Sequence, residues 1–323
     1  LLPHPLEKRI CYVEDIEDVR EISPYTIELL KSEFRFKSSM LIFKNQPRLT
    51  PHEFLDFVKI FDDNLDEDAF ISDKSMTYVN SNKMLQPFDQ FPDCNHVAPR
   101  GNHYIKDYYG IKELQVYPTD YFKENYLWHS DTWGHPTKRM NKITGFYIIH
   151  QPLLGGETDF ISGETVYENL SELEKLAYKN IELEVSRESL LEAIKDNVSL
   201  MDYSGSYFKF NDIYKKASKE SLSIVRLINF PDNKNYLNPC LLISPAFVEK
   251  VKGWDLQESR EWLTLLMNLN ILPHRVTIQW KKGDVAVFNN KLFIHSSTPA
   301  NRYLENELSN KRFLLQTFLP TKD

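Results

Sequence analysis

The segment YLWHSDTW, residues 126–133, and the segment FNNKLFIHSSTP, residues 288–299, are the most informative parts of the sequence. The first segment contains His129 and Asp131, and the second contains His295 in a run with strand-like composition. In an extended strand, side chains at i and i+2 leave the same face, so His129 and Asp131 can reach one ion while the residue between them points away. Two imidazoles and one carboxylate are the ligands of a facial triad for non-haem Fe(II). The two segments therefore predict neighbouring strands that share a metal site.

The composition of the chain indicates a globular enzyme. It has 323 residues, a formal charge of −7 and 41% hydrophobic residues, which is enough apolar material for one large core or two modest ones. No block of like charge dominates, and this argues against a nucleic-acid-binding protein. The acidic balance disfavours an anionic polymer as substrate but allows a small anion, which needs only one or two local arginines.

Three cysteines, Cys11, Cys94 and Cys240, lie far apart and form no C-x-x-C pair. This pattern argues against a disulfide framework or a structural zinc site and favours a reducing compartment. No apolar run is long enough to span a membrane, and LLPHPLEKRI at the start lacks the apolar core of a signal peptide. We therefore expect a cytoplasmic protein with a small-molecule substrate and with no membrane or nucleic-acid partner. The sequence is compatible with a homo-oligomer.

The N-terminal part of the chain predicts a mixture of helix and strand. Residues 24–37 have helical spacing, and the apolar run Met40–Phe43 is typical of a buried strand. Thr50, followed by Pro51 and Glu53, has the pattern of a capped helix start. A helix is therefore expected directly after Thr50.

From roughly residue 75 the sequence becomes rich in short β-type runs bounded by Gly, Pro, Asn and Asp. Helical spacing returns over residues 163–196, where a pair of short helices is expected, and again over 250–270. Strand patterns resume near the end of the chain. No linker or repeat divides it, so we expect one domain, residues 1–323, in which strands flank a helical insert at roughly 163–275.

Five landmarks along the chain carry a resemblance to a known family. They are LIFKNQPRLTPHEFLDFVKIF (41–61), LWHSDTW (127–133), GGETDF (155–160), WKKGDVAVFNNKLFIHSSTP (280–299) and KRFLLQTFLP (311–320). With these landmarks in order, the chain resembles the taurine/α-ketoglutarate dioxygenase-like family, within the clavaminate synthase-like group of Fe(II)- and 2-oxoglutarate-dependent oxygenases. The resemblance implies an α+β, mainly β fold: a double-stranded β-helix, or jelly roll, with surrounding helices.

The resemblance also implies roles for five residues. His129, Asp131 and His295 would bind iron. Thr158 and Arg312 would hold the distal carboxylate of 2-oxoglutarate, and a buried carboxylate does need charge-assisted hydrogen bonds of this kind. The implied reaction uses Fe(II), 2-oxoglutarate and dioxygen, releases succinate and carbon dioxide, and oxidises a small organic substrate, with hydroxylation as the first expectation.

Two assignments depend on details near the end of the chain. Arg302 is a rival to Arg312 because it lies closer to the distal histidine, but residues 312–319 alternate as a two-faced strand does, and this favours Arg312. Gln316 stands where sulfonate-oxidising relatives carry a second arginine, which favours a neutral or heterocyclic polar substrate, such as a purine-like compound. Residues 288–290, Phe-Asn-Asn, lack the family's usual aspartate, and no consequence is assigned to this departure.

Several polar and aromatic side chains are candidates for the wall of a substrate pocket. They are Asn80, Asn82, Tyr104, Tyr108, Trp133 and Gln316. Each has a structural alternative, since aromatic residues at strand spacing are usually core and asparagines beside strands usually make turns. His135 and His150 have no matching partner and are interpreted as structural, and Gly155-Gly156 is interpreted as a hairpin turn.

Three alternative functions stay open on the sequence alone. The same cofactor chemistry could act on a protein side chain or a carrier-bound amino acid. The scaffold could be a non-catalytic jelly-roll binding protein, although no ligand position is substituted. A zinc hydrolase could use the same three ligands, but no accompanying general base stands at a recognisable spacing.

Overall fold

A computed structural model gives the fold of the chain. The residues that it describes are 1–62, 65, 94, 96–101, 104–108, 111–115, 128–131, 143–153, 155–185, 220–229, 237–298 and 312–319. Among the helices in these ranges, none is both long and apolar enough to cross a membrane.

Five α-helices lie in the described ranges, and side-chain caps explain where they begin. They are α1 (Pro24–Phe36), α2 (Pro51–Lys59), α3 (Gly163–Asn169), α4 (Glu172–Tyr178) and α5 (Leu256–Leu266). The N–H of Glu53 donates to Thr50 Oγ1, and the N–H of Thr50 donates to the Glu53 carboxylate. This capping box satisfies N–H groups that the first turn leaves without helical partners. The predicted helix start after Thr50 is confirmed, as are the pair of short helices and the later helix.

Seventeen β-strands lie in the same ranges. In chain order they are β1 (Leu2–His4), β2 (Glu7–Val13), β3 (Met40–Phe43), β4 (Val97–Gly101), β5 (Tyr104–Tyr108), β6 (Ile111–Gln115), β7 (Ile143–His150), β8 (Thr158–Ser162), β9 (Glu182–Val185), β10 (Glu220–Ser223), β11 (Val225–Asn229), β12 (Leu237–Leu241), β13 (Val248–Val251), β14 (Val276–Ile278), β15 (Val285–Asn289), β16 (Phe293–Ser297) and β17 (Phe313–Leu319). β3 is buried along its whole length, as its apolar sequence predicts.

The larger sheet interleaves early and late parts of the chain. Its seven strands have the order β1-β2-β3-β15-β7-β17-β4. β15 pairs antiparallel with β3 on one side and with β7 on the other. β17 in turn lies between β7 and β4. Two late strands, β15 and β17, therefore lie inside this sheet rather than at its edges.

A smaller antiparallel sheet, β14-β8-β16, packs against one face of the larger one. Apolar side chains of both sheets meet there in one core, where the ring of Phe160 on β8 lies 5.3 Å from that of Phe288 on β15. The opposite face of the larger sheet is covered by α1 and α2, through residues such as Phe34 and Phe54. The fold is thus a layered one, with helices on one side and the second sheet on the other.

Two predictions about the middle of the chain need correction. The sequence predicts a helical insert at 163–275, but the described part of this region also contains five strands, β9 to β13. Such short strands carry little periodic signal. The Gly155-Gly156 turn does not close a hairpin, because β7 lies in the larger sheet and β8 in the smaller one. Both glycines have positive φ, and the chain passes between the two sheets at this point.

The close packing of Gly163, the first residue of α3, makes one substitution a test of the fold. A Cβ atom at this position would lie 2.6 Å from the backbone oxygen of Leu241 and would overlap Cys240 Sγ. We expect Gly163→Ala to lower the free energy of unfolding by about 1–3 kcal/mol, as overpacked core substitutions do. Urea denaturation measures the change. Gly253→Ala is the control, since it has open space around it and strains only a positive φ, at a cost of about 1 kcal/mol. Wild-type stability in Gly163→Ala would contradict the packing.

Candidate metal centre

His129 and His295 are brought side by side by a backbone pair. The N–H of His129 donates to the carbonyl oxygen of His295 at 3.0 Å, and the N–H of His295 donates to that of His129 at 2.8 Å. The pair is an isolated antiparallel bridge, so His129 is not part of an extended β-strand. Directly opposed residues direct their side chains to the same face, and the centres of the two imidazole rings are 4.5 Å apart.

Asp131 is tied in place by the side chain of Asn290. The Asp131 N–H donates to Asn290 Oδ1 at 2.8 Å, and Asn290 Nδ2 donates to the Asp131 carbonyl oxygen at 2.7 Å. Ser130 points elsewhere, because its Oγ donates to the carbonyl oxygen of Phe293 at 2.7 Å. The Asn-Asn departure thus has a structural role: Asn290 joins the H-x-D segment to the turn between β15 and β16, just before the strand that carries the other histidine.

The side chains of His129, Asp131 and His295 converge on one point. His129 Nε2 lies 3.6 Å from Asp131 Oδ1, and His295 Nε2 lies 3.7 Å from Asp131 Oδ2. One ligand atom from each residue falls within 4.8 Å of the others, close enough to hold one metal ion. The side chains of Asp131 and His295 are 6% and 5% exposed, whereas that of His129 is 26% exposed. Two imidazole nitrogens and one carboxylate are a donor set that fits Fe(II).

Burial sets the protonation state of the two inner groups. It lowers the pKa of His295 to about 3, so this imidazole is neutral near pH 7. Burial alone would raise the pKa of Asp131, but the two neighbouring histidines and Arg100 outweigh it and hold the pKa below its ordinary value. A neutral imidazole and an ionised carboxylate are the forms that bind a metal ion. Neither group has to lose a proton before it can act as a ligand at neutral pH.

The low pKa of His295 predicts how the metal-free protein responds to acid. In the unfolded chain an imidazole titrates near pH 6.5, so below that pH the unfolded state binds a proton that the folded state does not. The contribution of the neutral His295 imidazole to stability is fully present above about pH 6.5. Below that pH the free energy of unfolding falls by about 1.4 kcal/mol per pH unit. Urea denaturation between about pH 7.5 and 5 measures the slope. His295→Gln should have the shallower slope, and equal slopes would argue against a buried neutral imidazole.

Aromatic packing orients the His295 ring. The ring stacks on Phe160 at 5.6 Å, and Phe146 and Phe288 approach it edge-on at 5.7 and 5.5 Å, all between ring centres. Its buried Nδ1 has no hydrogen-bond partner among the described residues. In the part of the chain that the structure describes, packing and the backbone bridge therefore turn Nε2 toward Asp131.

A second polar group near the triad consists of Thr158, Trp280 and Arg312, all buried. Thr158 Oγ1 accepts hydrogen bonds from Trp280 Nε1 at 2.8 Å and from the Arg312 guanidinium at 3.0 Å. A hydroxyl oxygen has two lone pairs, so the Thr158 O–H is left to donate to a further acceptor. Burial is the main cause of the low pKa of His295, but the charge of Arg312 also contributes. A hydroxyl donor and a guanidinium therefore lie together beside the metal centre, an arrangement suited to a carboxylate.

The amide of Gln316 is engaged at both ends inside the protein. Its Nε2 donates to the Asp131 oxygens at 3.4 and 3.3 Å, and its Oε1 accepts from Arg100 Nε at 2.9 Å. Thr144 Oγ1 also donates to Asp131 Oδ2, at 3.3 Å. The sequence reasoning missed Arg100, as it missed Asn290 and Trp280. The periodicity of its own strand gives no signal for it, because only the pairing of β4 with β17 brings it to the site.

Several other predicted residues lie outside the part of the chain whose side chains the structure describes. Outside the described residues lie Asn80, Asn82, Trp133, His135 and Arg302. Tyr104 and Tyr108 fall in β5, where the course of the backbone alone is described. Contact of the two asparagines, Trp133 and the two tyrosines with a substrate stays a prediction. The structural role of His135 and the choice of Arg312 over Arg302 also stay predictions. His150 is the last residue of β7, and its structural role stays an interpretation.

Comparison with known proteins identifies the family. The taurine catabolism dioxygenase TauD, TfdA family matches residues 15–315. The chain therefore belongs to this family of dioxygenases. A Schizosaccharomyces pombe protein, named provisionally as an alpha-ketoglutarate-dependent sulfonate dioxygenase, is 25% identical over 254 residues, which cover 73% of this chain. The match covers 60% of that relative, so the chain spans well under its full length.

Solved structures share the fold across nearly the whole chain. The crystal structure of AAD-2 in complex with Mn(II) and N-oxalylglycine has a TM-score of 0.66 at 16% identity, and the match covers 100% of this chain and 98% of that one. A taurine dioxygenase from Burkholderia xenovorans has a TM-score of 0.63 at 15% identity, covering 98% of this chain and 88% of that one. At this level of identity the similarity shows the fold alone.

Proposed function

We propose that the protein is an Fe(II)- and 2-oxoglutarate-dependent dioxygenase that oxidises a small organic molecule. The observation that carries the proposal is the proximity of two groups, the His129, Asp131 and His295 triad and the donor pair of Thr158 and Arg312. Thr158 on β8 pairs with Ser297, which lies two residues after His295 on β16. Membership of the TauD, TfdA family supports it. We also propose that the two packed sheets form a double-stranded β-helix, in line with the similarity to solved structures.

In this proposal the residues of the chain divide into ligands and cofactor-binding groups. His129, Asp131 and His295 would hold the iron. Bound Fe(II) supplies the activation of dioxygen that couples the conversion of 2-oxoglutarate to succinate and carbon dioxide with oxidation of the substrate. Arg312 pairs with the distal carboxylate of 2-oxoglutarate, and the O–H of Thr158 donates to it. The aromatic rings around His295 keep water away from that ligand.

The substrate class that we propose to test first is a sulfonate. The Schizosaccharomyces pombe relative and the Burkholderia xenovorans structure carry names of this kind. Gln316 favours a neutral or purine-like substrate on the sequence alone, but that argument weakens because both ends of its amide are engaged within the protein.

We further propose that residues 1–323 form one oxygenase domain that acts in the cytoplasm. Apolar side chains from β2 to β17 share the core between the two sheets, which supports a single domain. Cys11, Cys94 and Cys240 are all buried, and none of them forms a disulfide bond in the part of the chain that the structure describes. Free cysteines are the rule in a reducing compartment.

Anaerobic titration of the purified protein with Fe(II) and then with 2-oxoglutarate tests the proposed function. We expect saturable Fe(II) binding and a weak visible metal-to-ligand charge-transfer band that needs both components. Exposure to air with a suitable sulfonate should then release succinate, and His129→Ala should show no band. Absence of the band in the wild type under strictly reducing conditions would contradict the proposal. It would favour a non-catalytic scaffold or a hydrolase.

A further inference from the structure

Gln316 and Arg100 form a second layer of contacts behind Asp131. β4 and β17 pair antiparallel, and Arg100 lies opposite Leu314 in the register. Gln316, two residues further along β17, is therefore a diagonal neighbour of Arg100 on the same face of the sheet. The two residues are 7% and 9% exposed. Their contacts are made with little competition from water, so each hydrogen bond is electrostatically stronger than it would be in water.

The chemistry of the partners fixes the direction of the Gln316 amide. A guanidinium can only donate, so Oε1 has to face Arg100 Nε, at 2.9 Å. Nε2 is then turned toward Asp131 and lies 3.4 and 3.3 Å from its two oxygens. An ionised carboxylate can only accept. The hydrogen bonds are therefore donated in one direction only, from Arg100 to Gln316 and from Gln316 to Asp131.

The neutral Gln316 amide lies between the Arg100 cation and the Asp131 carboxylate. This arrangement leaves the carboxylate able to act as a metal ligand. A guanidinium in direct contact with Asp131 would bind it through short, charge-assisted hydrogen bonds and occupy the lone pairs that a metal needs. Gln316 instead spans both oxygens with longer hydrogen bonds. Oδ1 stays directed at His129 and Oδ2 at His295. The carboxylate is oriented while its oxygens stay available.

We propose that Gln316 and Arg100 are positioning residues for the metal ligand Asp131. Arg100 sets the direction of the Gln316 amide, and this amide holds the carboxylate facing the two histidines. The inference rests on the proposed function, because it requires Asp131 to bind the metal. Groups that orient metal ligands in this way typically change metal affinity about 10- to 100-fold when they are removed.

Co(II) is the probe for the test, because its visible bands report the geometry of its ligands. We expect Gln316→Leu to weaken Co(II) binding about 10- to 100-fold in competition with a chelator, and to shift the Co(II) bands. Arg100→Met should have the same kind of effect with a smaller size. The double variant should be no weaker than Gln316→Leu, because Arg100 acts through Gln316. Arg100→Lys keeps a cationic donor and should restore part of the affinity.

Thr317→Val is the matched control on the same strand. Thr317 Oγ1 donates to the carbonyl oxygen of His96 at 2.6 Å, and its side chain leaves the opposite face from that of Gln316. Its loss should lower stability and leave Co(II) affinity and spectrum unchanged. Wild-type affinity and spectrum in both Gln316→Leu and Arg100→Met would overturn the inference. If Gln316→Leu does not fold, the two Arg100 variants decide the question alone.

Different experimental results would contradict the proposed function and the positioning roles of Gln316 and Arg100. A wild-type protein that binds no Co(II) would contradict the metal site itself, whereas wild-type binding with unchanged variants would contradict only the positioning roles. Both outcomes are read from metal binding rather than from turnover, so the identity of the substrate does not affect them.

Discussion

Replacing Asp131 with alanine is expected to abolish 2-oxoglutarate-dependent turnover and to weaken Fe(II) binding by about 10²- to 10³-fold. A structural zinc site with four ligands binds its metal with roughly 10–16 kcal/mol, so one ligand contributes on the order of 2.5–4 kcal/mol. About 1.4 kcal/mol corresponds to a tenfold change in affinity. Asp131 is also the negatively charged member of the triad, and its two oxygens face the two histidine Nε2 atoms at 3.6 and 3.7 Å. Its loss removes both a ligand atom and the charge that attracts the ion.

Thermal unfolding with and without Fe(II), under anaerobic conditions, gives a direct measurement. A ligand that binds only the folded state raises the melting temperature, so the metal should stabilise the wild type and not Asp131→Ala. Asp159→Asn is the control, because Asp159 is an equally buried carboxylate whose partners are Thr277 and Arg275. It should keep the metal-dependent shift. A shift of wild-type size in Asp131→Ala would rule out Asp131 as a ligand.

The sequence predicted those parts of the site whose chemistry depends on residue type and short spacing. His129 and Asp131 are separated by a single residue, and His295 lies in a run that is recognisable as a strand. The alternation around Arg312 predicted a two-faced strand, and β17 places Leu314 in the core between the sheets and Leu315 in the core under the helices. Such features are local, so one segment contains enough information to reveal them.

The partners of these residues could not be predicted, because they depend on contacts between distant segments. Arg100 and Gln316 are 216 positions apart and meet through the pairing of β4 with β17. Asn290 reaches the backbone of Asp131 across 159 positions. The same reason explains why the turn before Thr158 looked like a hairpin: glycines reveal a turn, but they do not reveal which sheet the next strand joins.

Arg312→Met is expected to raise the 2-oxoglutarate concentration for half-saturation by a factor between roughly 30 and more than 1000, while Fe(II) binding stays intact. Removal of one partner of a buried charge pair costs about 2–5 kcal/mol, because the other charge is then buried without compensation. Arg312 is 4% exposed. Its guanidinium also donates to Thr158 Oγ1 at 3.0 Å and so helps to direct the hydroxyl proton toward the ligand. The charge-transfer band, recorded at increasing 2-oxoglutarate concentrations, measures the effect.

Two further variants show whether the loss belongs to this guanidinium. Trp280→Phe removes one neutral hydrogen bond to Thr158, which is worth about 0.5–1.5 kcal/mol, so the same concentration should rise only about 2- to 10-fold. Arg302→Met should leave it unchanged. The opposite result, with 2-oxoglutarate binding lost in Arg302→Met and kept in Arg312→Met, would assign the carboxylate to the segment before β17. The expected order of effects follows from the charges, since a buried carboxylate depends more on a cation than on the dipole that orients a neighbouring hydroxyl.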